Sequence, residues 1–343
     1  MSTAVVVINW NGFSDTVECV QSMLDQTISD YRVFLVDNGS DGDDAARLAD
    51  QYAGEPRVEL VRFDNNEGFA RGVNRAIRDC VDLDQFQWVA LLNNDAVVER
   101  DWLEQLQAAA HRHNCDLIAS RMTNYYQRDL LDNAGHEFLN TGEILPRGAG
   151  QPAENFQQDS DVLGACGGGC LISTRLIRQI GLFDPFFETG YEDAEFGLRA
   201  FLAGYRIVYA ADAVTHHKIS QSINKIRDRA YAVRLQVNIN YTYLKLTPWP
   251  VLLTNAPFVL LKTFAVPAAA LLFLRWTLLS VQLSALWKTL EQLPFILKQR
   301  RLSQGFRRRP SLQVIKSQRL FLQVYLDYLR RYLLGGEKTV FER

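Results

Sequence analysis

Short apolar runs alternate with amphipathic stretches over the first ninety residues of the chain. Continuous β-branched or aliphatic runs that end in polar turn residues are typical of buried parallel strands, and the stretches between them have a helical period. The pattern predicts strands at 3–9, 32–36, 58–62 and 88–92, separated by helices at 16–24, 43–52 and 68–79. Strands that alternate with helices in this way predict an α/β fold with a doubly wound, mostly parallel sheet.

The pattern is less regular in the middle of the chain. Residues 122–158 are polar and rich in glycine and asparagine, which predicts a β-ribbon or a loop over the sheet. Helices are predicted again at 175–181 and 193–203, and a strand at 205–210. The α/β organisation therefore extends well past residue 200.

An apolar segment follows at 251–287, where the only charged side chains are Lys262 and Arg275. Each uncharged run is shorter than the roughly 20 residues that a membrane-spanning helix needs. Pro257 and Pro267 are expected to interrupt the segment. We therefore predict helices that lie in a membrane interface or dip into it, in preference to a full span. The soluble alternative is a buried helical hairpin.

Charge is distributed unevenly along the chain. Residues 298–343 contain twelve Lys and Arg against three Asp and Glu, a net charge of +9, which leaves −11 on residues 1–297. A nucleic-acid binder more often has its basic surface on the folded domain, so we predict no nucleic-acid partner. A basic tail behind an apolar segment suits the anionic surface of a membrane.

The cysteines and the N-terminus predict chemistry that faces the cytosol. Five cysteines form no regular framework of disulfides or zinc ligands, which indicates reduced thiols. Residues 1–10 lack the basic start and long apolar core of a secretory signal.

Three polar clusters directly follow predicted strands: Asn9 and Asn11; Asp37 and Asn38; and Asn93, Asn94 and Asp95. Ligands of doubly wound sheets bind beyond the carboxyl ends of the strands, so the clusters are predicted to line one edge. For a single cluster, turn formation is the alternative. Asp95 suits a hard cation such as Mg²⁺ or Mn²⁺, which prefers oxygen ligands; the alternative is a helix N-cap.

Three further groups of residues could carry chemistry. The glycines at 66–74 permit close backbone approach at a helix start, where Arg71 could bind an anion. The alternative is a flexible helix start with a surface arginine. The segment 191–199 places several carboxylates beside aromatic residues, and one of these carboxylates could act as a general base. The alternative is that they are simply acidic residues favoured by the dipole at the start of a helix. His216 and His217 follow a predicted strand and could be ligands, proton carriers or structural residues.

Taken in order, these segments resemble the family 2 inverting glycosyltransferases of the GT-A fold. The resemblance covers roughly residues 3–220. Its motifs are VVVINWNG at 5–12, VDNGSDG at 36–42, NEGFARGVN at 66–74, LLNNDAVV at 91–98, GGGCLISTRLIRQIGLFDPFF at 167–187, YEDAEFGLR at 191–199 and the late His216. Within the family the chain is most similar to the bacterial rhamnosyltransferase-like branch, which builds surface polysaccharides.

The resemblance implies a donor site and a metal site. The residues implied to bind the nucleotide sugar are Asn9, Asn11, Asp37, Asn38, Arg71, Asn93 and Asn94. Asp95 corresponds to the remaining acid of a metal-binding motif whose other positions are amides here. His216 corresponds to the histidine that helps to bind metal or diphosphate, with His217 as the alternative. The implied cofactor is a divalent metal ion, Mg²⁺ or Mn²⁺.

The resemblance also implies a reaction. Asp193 matches the catalytic base, and Tyr191 and Glu192 are expected on the acceptor side. The expected reaction is inverting transfer of a sugar from a nucleotide-sugar donor to a hydroxyl of a lipid-linked or polysaccharide acceptor. We expect dTDP-rhamnose as donor, followed by a UDP-hexose.

The expected organisation is a GT-A catalytic domain at 1–245, an apolar helical membrane-associating region at 246–300 and a basic helical tail at 301–343. The expected location is the cytoplasmic face of the inner membrane. One rival is a nucleotidyltransferase, which would need basic residues in the loop after the first strand, where residues 9–12 have none. The other is a degenerate transferase that serves as a membrane scaffold. The oligomeric state is left open.

Overall fold

The computed structural model describes residues 2–218 and 228–329. The strands in these ranges are β1 (Thr3–Asn9), β2 (Tyr31–Asn38), β3 (Val58–Phe63), β4 (Trp88–Asn93), β5 (Ala96–Val98), β6 (Leu117–Asn124), β7 (Leu131–Asn133), β8 (His136–Phe138), β9 (Ile144–Pro146), β10 (Ser160–Asp161), β11 (Gly169–Ser173) and β12 (Ile207–His217). The four strands predicted near the N-terminus are confirmed as β1 to β4.

Helices alternate with these strands and then continue alone to the end of the described chain. They are α1 (Phe13–Leu24), α2 (Asp44–Tyr52), α3 (Phe69–Cys80), α4 (Trp102–His113), α5 (Thr174–Ile180), α6 (Glu192–Leu202), α7 (Arg229–Leu246), α8 (Trp249–Leu272), α9 (Trp276–Glu291), α10 (Leu293–Ser303), α11 (Ser311–Ser317) and α12 (Phe321–Leu329). Short 3₁₀ turns lie at Ala153–Phe156 and Gln304–Phe306.

The main sheet has the strand order β10-β12-β6-β11-β4-β1-β2-β3, with β5 beside β12 and β7 beside β6. The pairings from β4 through β1 and β2 to β3 are parallel, as is that of β6 with β12, while β11 is antiparallel to both neighbours. Alternate residues of each strand enter opposite apolar layers, as Val6 and Val7 do in β1. The predicted doubly wound, mostly parallel α/β fold is confirmed.

The ribbon predicted within residues 122–158 is present as β8 and β9. These two strands pair antiparallel, with Phe138 opposite Ile144. Strand β7 pairs with the end of β6 and so joins the ribbon to the main sheet. This arrangement carries residues of the ribbon towards the carboxyl ends of the sheet.

Strand β12 is longer than the sequence pattern predicts. Its pairing with β6 is shifted between Ala210 and Val214, and it resumes as far as His217. The β-bulge inserts extra residues without ending the strand. Because it interrupts the alternation of side chains, the sequence pattern predicts only the first half of β12. His216 and His217 therefore lie within a strand and point to opposite faces.

The expectation that prolines interrupt the apolar segment was wrong. Helix α8 runs unbroken from Trp249 to Leu272, with Pro257 and Pro267 inside it. Each proline removes only one N–H donor, and the surrounding leucine and alanine residues favour helix. The break comes instead at Leu274, whose φ is +52°. Within the described residues, α8 is the one helix that is long and apolar enough to cross a membrane, and 11% of its most apolar stretch is buried.

Basic residues attach the C-terminal helices to the sheet domain. Arg309 donates to the carbonyls of Phe201 and Tyr205 in the sheet domain. Arg300 of α10 donates to the carbonyls of Leu244 and Thr247 at the end of α7. Lys262, the one charge within α8, pairs with the mostly buried Glu143 at 2.6 Å. Part of the predicted basic tail is thus used for internal contacts, and residues 330–343 of that tail lie outside the described residues.

Candidate active site

The carboxyl ends of β1, β2 and β4 meet at one polar edge, as predicted. Asn9 ends β1 and donates from Nδ2 to Oδ1 of Asp37 at 2.8 Å. Thr16 donates to Oδ1 of Asn9 at 2.7 Å, and Asn94 donates to the Thr16 hydroxyl at 3.0 Å. Asn9 and Asp37 are almost fully buried. Their side chains therefore lie beneath the surface of this edge.

The upper part of the same edge is more open. Asn11 is exposed with a φ of +51°, and its backbone N–H donates to the Ser40 hydroxyl at 2.9 Å. Asn38 is buried and binds the 66–68 loop, donating to Asn66 at 3.1 Å. Arg71 is exposed on α3 and donates to the Pro185 carbonyl at 3.3 Å. Of the predicted donor-binding side chains in this upper part, Asn11 and Arg71 are exposed, whereas Asn38 is buried.

Three residues from distant segments form a line of charges, in which Asp95 and His217 are buried and Asp132 is partly exposed. His217 Nε2 lies 3.2 Å from Oδ1 of Asp95, and its Nδ1 lies 2.8 Å from Oδ2 of Asp132. Asn93 Nδ2 lies 3.4 Å from the same Nε2. Burial lowers the pKa of His217, but the hydrogen bonds to Asp132 and Asp95 outweigh it and raise the pKa to about 10. The ring is thus held as a donor to both carboxylates.

The expectation that His216 joins Asp95 at a metal needs correction. His216 lies on the opposite face of β12, with Nε2 at 2.8 Å from Glu99 and Nδ1 at 2.7 Å from the Thr123 hydroxyl. Burial lowers the pKa of His216 despite the hydrogen bond to Glu99. Because neighbouring strand residues point to opposite faces, only His217 reaches Asp95.

The Asp95–His217 pair fits a divalent cation that takes most of its ligands from a bound diphosphate. A carboxylate oxygen and an imidazole nitrogen 3.2 Å apart share a position that a cation could take in place of the proton. Asp132 would then orient the ring from the second nitrogen. Within residues 2–218 and 228–329, no three His, Cys, Asp or Glu side chains form a cluster that could hold a metal ion.

Asp193 lies at the start of α6 with its carboxylate fixed but accessible. Its Oδ2 accepts from the Gly167 N–H at 3.0 Å, and its Oδ1 accepts from the Ala194 N–H at 2.7 Å. The side chain is 21% exposed, and Nε2 of the buried His136 lies 3.9 Å away. Burial lowers the pKa of His136, which favours the neutral ring. A carboxylate fixed by two N–H groups and reached by solvent suits a general base.

Tyr191 and Glu192, the two residues before Asp193, have different surroundings from it. Tyr191 has a φ of +82°, and its hydroxyl accepts from the N–H of Ile144 in β9. Glu192 is buried, and its Oε2 has no hydrogen-bond partner. Burial, together with the charge of Asp193, raises the pKa of Glu192 to about 8. The protonated form of Glu192 is therefore favoured near neutral pH.

A glycine-rich loop joins the base to the Asp–His pair. Gly167 donates to Asp193, and the next residue, Gly168, accepts from the N–H of Asn93 at 3.1 Å. Asn93 in turn contacts His217, which contacts Asp95. The candidate base and the candidate metal ligands are therefore fixed to the same loop and strand end.

Sequence analysis missed Asp132 and His136. Asp132 lies in the three-residue strand β7 and His136 begins the equally short β8, within a polar stretch where an Asp and a His resemble ordinary turn residues. Their roles become visible only when the ribbon is packed against β12 and α6. No local pattern in the sequence distinguishes them.

Comparison with known proteins identifies the family of this chain. The sequence profile of the family described as glycosyl transferase family 2 matches residues 4–181, just over half of the chain. Glycosyltransferase GlyG of Streptococcus pneumoniae is 26% identical over 127 residues, which are 37% of this chain and 40% of that protein. The O-antigen biosynthesis protein RfbC of Myxococcus xanthus is 25% identical over 238 residues, 64% of this chain and 18% of that protein. The chain thus matches less than half the length of either relative.

Among solved structures, the mannosyltransferase PcManGT from Pyrobaculum calidifontis, in complex with GDP-Man and Mn²⁺, superposes with a TM-score of 0.53. The superposition covers 84% of this chain and 86% of that one at 16% identity, which shows a shared fold. From the profile match and this shared fold, the chain belongs to glycosyl transferase family 2 and has the GT-A fold.

Proposed function

We propose that this glycosyltransferase transfers a sugar with inversion of the anomeric configuration, using Asp193 as its base. An acceptor hydroxyl attacks the anomeric carbon from the face opposite the nucleoside diphosphate. The hydroxyl proton goes to Asp193 while the bond to the diphosphate oxygen breaks, and its electron pair leaves with the diphosphate. One base is sufficient for this displacement, unlike the carboxylate pair of a glycosidase.

The observation that carries the proposal is the attachment of Asp193 and the Asp95–His217 pair to one loop and strand end. Gly167 holds the base, and the next residue, Gly168, holds Asn93 beside His217. A base and a site for the leaving diphosphate must keep a fixed separation during a displacement, and a shared rigid support provides it.

A divalent cation is part of the proposal. Asp95 and His217 would hold it, and Asp132 would orient His217 through Nδ1. When bound, Mg²⁺ or Mn²⁺ would neutralise charge on the departing diphosphate, so that no general acid is required. The complex of PcManGT with GDP-Man and Mn²⁺ supports a nucleotide sugar and a divalent cation as ligands of this fold.

For the donor we propose dTDP-rhamnose, with a UDP-hexose as the next candidate. The exposed Asn11 and Arg71 are the groups that would reach the donor from the edge of the sheet, while the buried Asn9, Asp37 and Asn38 would shape its pocket. For the acceptor we propose a hydroxyl of a lipid-linked or polysaccharide glycan. Similarity to an O-antigen biosynthesis protein supports this class of acceptor.

We further propose that the enzyme works at the cytoplasmic face of a membrane. Among the described residues, every large hydrophobic side chain that is exposed lies between Trp249 and Leu326, except Tyr126. An exposed apolar surface of this extent, next to basic residues such as Arg301 and Arg307, suits an anionic lipid interface. It would bring the catalytic domain to a lipid-linked acceptor.

A thermal-shift screen of nucleotide sugars with and without Mn²⁺ or Mg²⁺ tests the donor and the cation, because ligands of the folded state raise apparent stability. The expected result is a metal-dependent shift with dTDP-rhamnose or one UDP-hexose. Proton NMR of the first product formed from that donor should then show the opposite anomeric configuration.

Retained configuration would overturn the inverting mechanism. The absence of a shift with every donor, for enzyme shown to be folded, would contradict the transferase site and favour the scaffold alternative.

A further inference from the structure

Helix α7 connects the sheet domain to the apolar helices, and one of its faces is polar and buried. Asn238, Tyr241 and Lys245 are separated by three and four residues, so they share this face. Their exposed fractions are 2%, 0% and 4%. Buried polar groups need hydrogen-bond partners, and the partners of these three show which segment α7 contacts.

All three side chains bind the segment that contains Asp193. Asn238 Nδ2 donates to the Gly190 carbonyl at 2.8 Å. The Tyr241 hydroxyl donates to Oδ2 of Asp184 at 2.6 Å. Lys245 donates to the same Asp184 oxygen at 2.5 Å and to Oε1 of Glu195 at 2.7 Å.

These contacts surround the proposed base on both sides. Gly190 and Asp184 precede Asp193, and Glu195 follows it by two residues on α6. Gly190 and Tyr191 both have a φ of +82°, so the chain enters α6 through two consecutive left-handed residues. Tyr191 has a side chain that disfavours this conformation, and tertiary contacts must therefore hold the turn in place.

The charged side chains between α7 and the segment around Asp193 pair with one another. Glu195 is fully buried and is shared between Lys245 and Arg199, whose Nη2 lies 2.9 Å away. Asp184 is shared between Lys245 and the Tyr241 hydroxyl. Loss of Lys245 would leave Asp184 with a neutral partner and Glu195 with one cation, so the network specifies a single arrangement of α6 against α7.

We infer that Asn238, Tyr241 and Lys245 are positioning residues for sugar transfer. Through Asp184, Gly190 and Glu195 they fix the turn and the first residues of α6, and so keep Asp193 on the Gly167 N–H and in line for the acceptor. The helix that leads to the apolar region thereby also orients the base. The inference rests on the proposed role of Asp193.

Two variants of the full-length enzyme test the inference. Tyr241→Phe removes one hydroxyl and keeps the ring stacked on Phe186, whose centroid is 3.8 Å away. Asn238→Leu removes the hydrogen bond to Gly190. The matched control is Asn240→Ala on the same helix, which removes a 3.0 Å hydrogen bond to Thr289 of α9 instead.

The assay is hydrolysis of dTDP-rhamnose, or of the UDP-hexose that gives the largest thermal shift, at a temperature where all variants are folded. We expect kcat to fall about tenfold or more in Tyr241→Phe and in Asn238→Leu, while the donor dissociation constant changes less than twofold. Lys245→Met should behave in the same way, and Lys245→Arg should recover part of the rate. Asn240→Ala should keep kcat within twofold.

The outcomes separate the inference from the proposed function. Hydrolysis by the wild-type enzyme, with kcat unchanged in both Tyr241→Phe and Asn238→Leu, overturns the inference alone. Equal loss of kcat in Asn240→Ala overturns it as well, because the effect would then be general to α7. If the wild-type enzyme hydrolyses no nucleotide sugar, the proposed function fails, and the inference fails with it.

Discussion

At the scale of single residues, the proposed base is accessible to solvent, whereas the proposed cation ligands are buried. Asp193 is fixed by two backbone N–H groups and remains partly exposed, whereas Asp95 and His217 are more deeply buried. A group that must exchange protons with an acceptor needs access, and groups that bind a cation need fixed geometry.

Replacement of Asp193 by asparagine should abolish transfer. The amide keeps the size of the side chain but cannot accept the acceptor proton, and loss of a general base costs about 10²–10⁴-fold in rate. Donor binding should change little, because Asp193 does not contact the donor edge in the described structure. Turnover and nucleotide-sugar affinity are the measurements. The exposed Asp212, changed to asparagine, is the control. Undiminished turnover in Asp193→Asn would refute the assignment.

The two adjacent histidines should respond differently to substitution. His217→Gln removes the nitrogen that lies 3.2 Å from Asp95, so Mn²⁺ binding in the presence of the nucleotide should weaken by at least about tenfold. His216→Gln should leave Mn²⁺ binding within twofold, because His216 contacts Glu99 on the other face of β12. Titration of the Mn²⁺-dependent thermal shift measures both. A larger loss in the His216 variant would contradict the assignment of His217.

Glu192 should make stability fall as pH rises. Its pKa is about 8 in the folded protein and 4.5 ordinarily, so between these values the folded state keeps a proton that the unfolded chain has released. The free energy of unfolding therefore decreases with pH across this window. Glu192→Gln removes the effect, and its stability relative to wild type should rise between pH 5 and pH 8 by at least about 1 kcal/mol, the value of one pKa unit.

Urea unfolding at the two pH values measures this difference. Glu188→Gln is the matched control, because Glu188 is mostly exposed and should show a much smaller change between pH 5 and pH 8. A constant difference between Glu192→Gln and wild type would mean that Glu192 is ionised in the folded protein.

At the scale of elements, close backbone packing sets the position of α6. Gly197 lies where a Cβ would come within 2.5 Å of the Gly164 Cα and 3.1 Å of the Leu163 carbonyl. Residues 163–168 form the loop whose Gly167 N–H binds Asp193. The distance between α6 and this loop therefore depends on the absence of a side chain at position 197.

A methyl group at position 197 should push α6 away from the loop. Gly197→Ala is expected to destabilise the protein by about 1–3 kcal/mol, the usual cost of overpacking. It should also lower turnover, because the hydrogen bond between Asp193 and Gly167 would lengthen. Gly54→Ala is the control, because nothing lies within 4 Å of a Cβ at that position. Denaturant unfolding and kcat are the measurements, and equal effects of the two substitutions would count against the packing argument.

At the scale of the whole molecule, the sheet domain is joined to a helical region with an apolar exterior. Leu260, Phe264 and Leu271 of α8 are 55%, 71% and 54% exposed, although most large apolar side chains of the sheet domain are buried. Lys262 on the same helix instead faces inward to Glu143. Helix α8 thus contacts the sheet domain through Lys262 and presents these apolar side chains to solvent.

Replacing Leu260, Phe264 and Leu271 together with glutamine should weaken membrane binding by at least about tenfold, since burial of each such side chain contributes about 1.5–3 kcal/mol. Sedimentation with phosphatidylglycerol-containing vesicles measures the bound fraction. Tyr126→Gln is the control, because Tyr126 is 66% exposed but lies on the sheet domain. Equal binding of wild type and the triple variant would show that this face does not meet the membrane.

Much of the polar edge of the sheet could be predicted from the sequence. Asn9 and Asp37 lie at the carboxyl ends of β1 and β2, Asp95 lies just beyond the end of β4, and the ends of parallel strands lie together. The choice between His216 and His217 could not be predicted, because the bulge between Ala210 and Val214 shifts the register of β12. A shift of register exchanges the faces on which side chains lie, and no local pattern records it.

The sequence by itself determined the alternation of strands and helices, the polar edge and the position of Asp193 at a helix start, because periodicity and turn chemistry are properties of neighbouring residues. Tertiary structure alone decided that Asp132 orients His217, that α8 is continuous and exposed, and that Lys245 reaches Glu195. These features depend on which faces meet after the chain has folded, and residues far apart in sequence meet only through packing of the whole molecule.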